Sequence, residues 1–589
     1  MVATVEMPQT CEEYRLRLIM EYNRLLAWGK IAGLIETEEK AEIAIGLGAD
    51  PLELAAILAK IRALLEEFAE LNGRYKELDP SKTPGKGELE EKARKDPTSV
   101  NLQQEVSNLA LQYEKTKEKR QHMLGTNHLI KAFKGVEQVA RHPITRIRWT
   151  AVDKDSFQSL IEQLRVLTTR LHQLMGDYRL KKIKETTAQT YMEMVQMRGS
   201  IEDLKRIVVA VSLLPGNNTS GHEADHRSDQ VLEELARMKQ LNTSAQDVQS
   251  IGEFSAVKLS ASKDIKIRAG EATKTWSRAI FMKAGQPEKF VWIEWKSYSL
   301  EIQPEDPSAG PKIHPNTIKR TAELAALLTS PKPNDFCAPH CLGFFDHGEI
   351  SDEQRFGWVF EMPKGATEKT EPKSLLWMFT NISKPSLTER AALASKLAAS
   401  LLFLHSVNWI HKALRSENVL FLFTDDQYDM EKPILSGFEY SRPDGGNNTS
   451  EWSNPKPEWD MYRWPSIQRA APKERHSRKT YDIYSLGLIL LEICHWQPLY
   501  RVMSLGDPSK LILTNSKQIR ARLLNEPDFM RTVLEMVGKK YHEAVLQCIR
   551  GHEGFDIQEA DEQSTPDIGI KLQLSYTKSV VQPLRTIDV

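Results

Sequence analysis

No run of about 18 uncharged apolar residues occurs in the 589-residue chain, so a membrane-crossing helix is not expected. The nearest approach, residues 397–410, is shorter and contains His405 and Asn408. Cysteine is scarce, five in all and odd in number, which argues against a disulfide framework and for a reducing compartment. A basic segment followed by an apolar one is missing from the opening MVATVEMPQTCEEYRLR, where acids stand at Glu6, Glu12 and Glu13, so secretion is not expected. Net charge is almost absent, with 79 Lys plus Arg against 80 Asp plus Glu. Nucleic acid is therefore not an expected partner, and attraction to anionic lipid would need a local patch. What is there, 40% hydrophobic and 27% charged, is the composition of a folded multidomain chain.

Residues 14–211 carry helical periodicity. Its clearest stripe is Phe157, Leu160, Ile161, Leu164, Leu167, Leu171, Leu174 and Met175, preceded by the capping residues Asp155 and Ser156. Further helices are expected at 52–78 and 100–120, separated by the turn-rich DPSKTPGKGE. Stripes of this kind must bury against each other, which predicts an all-α helical bundle over 11–212. A polar, turn-rich stretch with one short helical pattern marks a linker at 213–250. Beyond it, FVWIEWKSYSLEI and RFGWVFEM read as strands, and helices are expected at 316–329, 387–407 and 481–496. Strands first and helices later predict an α+β domain.

The segment WIHKALRSENVLFLF at 409–423 follows the helix 387–407 and resembles the catalytic loop of protein kinases. On that resemblance His411 and Asn418 match the loop's His and Asn, while Ala413 stands where the proton-accepting Asp belongs. A methyl group can neither accept a proton nor orient a hydroxyl. In ILSGFEYS, Ser436, Gly437 and Phe438 occupy the place of the Asp-Phe-Gly motif, and a neutral serine is a poor ligand for a hard cation. The Gly-rich phosphate loop is reduced to Gly270 and Gly285 between residues 254 and 289. The resemblance retains Lys296 as the phosphate-reaching lysine, Glu323 in TIKRTAELAALL as its expected ion-pair partner, and Glu361 and Met362 as the hinge. It also retains Asp482 in KTYDIYSLGLILLEI as the brace of the catalytic-loop backbone. These matches imply a two-lobed kinase-like fold, with an N-lobe at 251–362, a C-lobe at 363–551 and a tail at 552–589. They imply a pseudokinase, with weak ATP binding and no bound magnesium. Cys337, His340, Cys341 and His347 are zinc-site residue types, but they read as core filling and no metal is expected.

EYNRLLAWGKIAGL at 21–34 and RIRWTAVDKDSFQSLIEQL at 146–164 resemble the fungal HeLo (prion-inhibition and propagation) domain. That family is a helical bundle associated with heterokaryon incompatibility and regulated death, acting at membranes through an apolar N-terminal segment. Only MVATVEMPQT precedes the matching helix, so that segment is expected to be short or missing. A lipid or anion patch is expected at 115–148, where nine Lys or Arg, among them Lys115, Lys117, Lys119, Arg120, Lys131 and Lys134, face two acids. A bundle joined to a pseudokinase is similar in arrangement to the mixed-lineage kinase domain-like family. The resemblance implies a cytoplasmic signalling protein of regulated cell death, peripheral at an anionic membrane. Its kinase-like domain would control the bundle, answer an upstream signalling protein or receptor and support homo-oligomerisation on activation. The loop 439–464, with Tyr440, Ser441, Thr449, Ser450 and Ser453, is an expected phosphorylation target. An active kinase with relocated catalytic groups and a soluble adaptor without membrane activity remain as alternatives.

Overall fold

A computed structural model of the chain describes residues 7–34, 54–66 apart from 55, 133–136, 154–212 apart from 176, 223–244, 258–268, 276–301 apart from 284 and 286, 311–444 apart from 364, 456–469, 477–506 and 515–587. Two compact units share the chain: Met1–Tyr191 with Lys205–Glu233, and Met192–Leu204 with Glu234–Val589.

The first unit is helical. Helix α1 (Met7–Ile31) packs against α2 (Lys154–Gln173), and the unit also holds most of α3 (Asp177–Gln196) and α4 (Ile201–Ser212). Leu18, Leu25 and Trp28 of α1 share a core with Leu58 and Ile61 and with Leu160, Ile161, Leu164 and Leu171 of α2. From Leu160 to Met175 the expected stripe thus does face inward, because its three- and four-residue steps keep one side of α2 apolar. Gly29 is required by close packing: a Cβ there would lie 2.1 Å from Cζ of Phe133. The same interface buries charge. Glu21 accepts two hydrogen bonds from Arg24 at 3.0 Å, and Arg24 also donates to Oγ1 of Thr169 at 3.1 Å.

The second unit begins with a five-stranded antiparallel sheet. In chain order its strands are β1 (Ile265–Ile267), β2 (Trp276–Phe281), β3 (Lys289–Ser297), β4 (Cys341–Asp346) and β5 (Arg355–Glu361), and in space they run β1-β2-β3-β5-β4. Between β3 and β4 lies helix α6 (Pro315–Thr329), opened by Pro315 and by the His314 ring, which accepts from the Asn316 N–H. Three short strands follow as a second sheet: β6 (Glu371–Ser374), β7 (Val419–Phe423) and β8 (Ile434–Leu435). The rest is helical. Helix α7 (Leu387–Ser406), started by a reciprocal cap between Ser386 and Glu389, is buried on nearly every side, as its Ala- and Leu-rich sequence requires. Helices α8 (Lys479–His495) and α9 (Pro527–Arg550) pack on each other.

Two segments differ from expectation. The linker at 213–250 contains a 22-residue helix, α5 (Glu223–Ser244), in which Leu232, Leu235, Ala236 and Met238 are buried. Its polar ends, EADHRSDQ and NTS, dilute the periodicity that would have announced it. The expected tail is also folded. Helix α10 (Pro566–Tyr576) and the turns after it bury Leu572, Tyr576, Val580 and Leu584 at helical spacing, and the Tyr576 hydroxyl donates to the Ala398 carbonyl at 3.0 Å.

Candidate functional site

The loop 411–418 leaves α7 through Asn408 and is tied down from α8. Oδ2 of Asp482 accepts from the His411 N–H at 2.7 Å, and Oδ1 accepts from the Lys412 N–H at 2.9 Å. Lys412 has a φ of 66°, a left-handed conformation that costs of order 1–3 kcal/mol and persists only where its surroundings hold it. The two bonds to a buried carboxylate do so here. His411 is fully buried against Phe438, ring centroids 4.6 Å apart, and burial pushes its imidazole down to about 4, so it is neutral at physiological pH. Ala413 presents a methyl group and no titratable atom.

Asn418 and Ser436 are committed to the loop itself. The Asn418 amide donates to the Ala413 carbonyl at 2.8 Å, and the Asn418 carbonyl accepts from the Ser436 N–H at 2.9 Å and its hydroxyl at 3.3 Å. Gly437 has a φ of 76°, and a Cβ there would lie 2.0 Å from Nδ2 of Asn418, so only glycine fits. Among the described residues no group of three or more His, Cys, Asp or Glu side chains could hold a metal ion. Cys341 is buried with its thiol on the Gly343 carbonyl, while His347 lies beside Arg355.

A cleft of about 750 Å³ separates β3 from this loop, lined among others by Glu294, Lys296, Arg415, Asn418, Ser436, Glu439 and Trp459. Lys296 on β3 lines it. Glu323, the expected partner of Lys296, pairs with Lys319, one turn earlier on α6, at 3.7 Å. Burial pushes Glu323 up to about 7, against the opposing pull of Lys319 and Arg320. Lys296 acts on Glu439, whose pKa burial raises while Arg415 and Lys296 oppose the rise. At the position of the expected hinge, the Glu361 carboxylate pairs with Lys289 at 2.7 Å. The Glu361 N–H donates to the His340 carbonyl at 2.9 Å and the Met362 N–H to the Phe290 carbonyl at 3.2 Å.

Sequence reasoning missed Glu294. This β3 carboxylate is 7% exposed, accepts from the Gly437 N–H at 3.0 Å and leaves Oε1 without a hydrogen-bond partner. It thereby ties the sheet to the 436–438 turn across the cleft, in the space beside Lys296. A usable signal was present, since an acid inside the otherwise apolar FVWIEW breaks the rule that a buried strand carries no charge without a partner. Lys115, Lys117, Lys119, Arg120 and Lys131 of the expected patch, and Gly270 of the phosphate-loop stretch, lie outside the described residues, whereas Lys134 is exposed.

Residues 1–207 match the family model for HeLo, prion-inhibition and propagation. Residues 354–588 match the model of a domain of unknown function, DUF7580, which runs through the folded C-terminal helices. No curated protein matches the chain. The HeLo domain is associated with fungal cell death and heterokaryon incompatibility. Among the described residues no helix is long and apolar enough to cross a membrane.

Proposed function

We propose that the C-terminal unit is a pseudokinase, a kinase-like domain that no longer transfers phosphate and instead controls the HeLo bundle in a regulated death response. The observation that carries this reading is the pair of hydrogen bonds that the Asp482 carboxylate accepts from the backbone N–H groups of His411 and Lys412. A loop held in this way around Ala413, with Ser436 and Asn418 bonded to each other, keeps the scaffold of a phosphotransfer site and lacks its proton acceptor and metal ligand. The antiparallel order β1-β2-β3-β5-β4, with α6 entering between β3 and β4, supports the same reading. ATP binding would be weak and largely independent of magnesium, because Lys296 is retained while Ser436 stands where the metal-binding carboxylate belongs. Anionic membrane, an upstream signalling protein and further copies of the chain are the partners this reading calls for.

The test is phosphate transfer by the purified full chain with ATP and magnesium, scored on itself and on a generic substrate. Incorporation should equal that of the Lys296→Met variant. Transfer that Lys296→Met abolishes would establish an active kinase and sink the proposal.

A further inference from the structure

Asn408, the residue between α7 and the 411–418 loop, has a φ of 55° and collects contacts from five segments of the second unit. The Asn242 amide near the end of α5 donates to the carbonyls of Val407 and Asn408, both at 2.6 Å. The Gln196 amide at the end of α3 donates to Oδ1 of Asn408 at 3.1 Å, and Nζ of Lys479 reaches the same oxygen at 2.6 Å. The Asn408 amide donates to the Ser564 carbonyl at 3.3 Å, and the Asp444 N–H donates to the Asn408 carbonyl at 2.8 Å. Lys239 locks the two helix ends together, its ammonium donating to the carbonyls of Val195 at 2.8 Å and Gln196 at 3.0 Å.

We propose that Asn408 is a latch: it holds the ends of α3 and α5 on the C-terminal unit, and its grip depends on the position of the segment 441–444. The Asn408 carbonyl accepts from Asn242 and from Asp444 together, so the helix end and the segment share one atom. Arg442 and Pro443 pair antiparallel with Ile410 and Trp409, which fixes the segment's register against the chain that leaves Asn408. Lys479 spans the same two points, bonded to Oδ1 of Asn408 and paired with Asp444 at 3.6 Å. Asn242, Lys239, Lys479 and Asp444 are each 4% exposed or less. Polar groups buried this deeply stay in place only while their partners do, so loss of one contact exposes or orphans the rest. Displacing 441–444 therefore withdraws a donor from Asn408 and an anion from Lys479, and loosens the helix ends.

The latch deepens the reading that the C-terminal unit controls the helical region, since α3 and α5 each begin in the first unit and end in the second. Its test involves neither nucleotide nor phosphate transfer, so an active kinase would overturn that reading and leave the latch standing. Hydrogen exchange is measured on the full chain and on two variants, Asn242→Ala at the helix end and Asp444→Asn in the segment. Coupling between two sites is reciprocal. Asn242→Ala should speed exchange roughly tenfold or more at 407–413 and 441–444, and Asp444→Asn should do so at 234–244, while α8 keeps its protection. Faster exchange confined to the element that carries each substitution would overturn the proposal. If Asn242→Ala also exposes α8, the milder Asp444→Asn variant decides alone.

Discussion

Replacing Glu294 by Gln isolates the contribution of the carboxyl group that spans the cleft. Burial raises its pKa from 4.5 to about 7; the Gly437 N–H opposes the rise without cancelling it, and the neighbouring Glu439 adds to it. Between those two pH values the folded protein retains a proton that the unfolded chain has released. Stability therefore falls as pH rises through this window, by up to about 1.4 kcal/mol per pH unit, and the loss accumulates to about 3 kcal/mol. Below the window both states are neutral at this residue, and above it both are charged, so the slope vanishes on either side. Gln fills the same volume and still offers Gly437 an acceptor, but it cannot ionise. The variant should match the wild type near pH 4.5 and exceed it by about 3 kcal/mol at pH 8. Glu323, raised to about 7, and Glu492, raised to about 8, give slopes of the same sign in both proteins and cancel in the difference. Denaturant unfolding of the full chain from pH 4.5 to 8, followed by the fluorescence of the buried Trp292 and Trp358 in the sheet, reads that difference. Parallel stability curves for the two proteins would refute the reasoning, because they would mean that Glu294 ionises in the folded state as it does in water.

Asp482→Ala should strip the 411–412 backbone of both acceptors and cost about 1–3 kcal/mol for each orphaned N–H, with faster amide exchange at those two positions as the readout; unchanged exchange there would show that another group holds the loop. Gly29→Ala should destabilise the helical unit by about 1–3 kcal/mol through overpacking against Phe133, and Phe133→Leu in the same chain should recover part of the loss. Thermal unfolding followed by circular dichroism checks the pair, and an unshifted transition for Gly29→Ala would show that the ring moves aside at no cost.

Regular elements with one-sided or wholly apolar patterns were legible. The helices expected at 316–329, 387–407 and 481–496 stand at Pro315–Thr329, Leu387–Ser406 and Lys479–His495. Each has a local cause: Pro315 at the first helical position, the Ser386–Glu389 cap, and the apolar run from Leu486 to Leu491. Helix α5 was harder because its buried residues occupy only the middle of a polar 22-residue stretch, and the helices after residue 552 were hidden by Gly, Asp and Pro in HEGFDIQEADEQSTPDIG.

Partner choice at the site has a different physics. Lys319 and Glu323 meet because a helix places residues four apart side by side, whereas the expected Lys296–Glu323 pair depends on the placement of α6 against the sheet, which no local pattern encodes. Glu294 bonding to Gly437 and Asn242 bonding to Asn408 join residues far apart in the chain, and each does so through backbone atoms that every residue possesses. Such contacts leave no signature in residue type. What they do leave is an anomaly, a charged or amide side chain where the local pattern calls for an apolar one. Both positions are at least nine-tenths buried, and a polar group there lowers stability unless a partner satisfies it. The anomaly in sequence and the bond in structure are thus the same constraint, and the partner becomes identifiable only once the fold has brought the two backbones together.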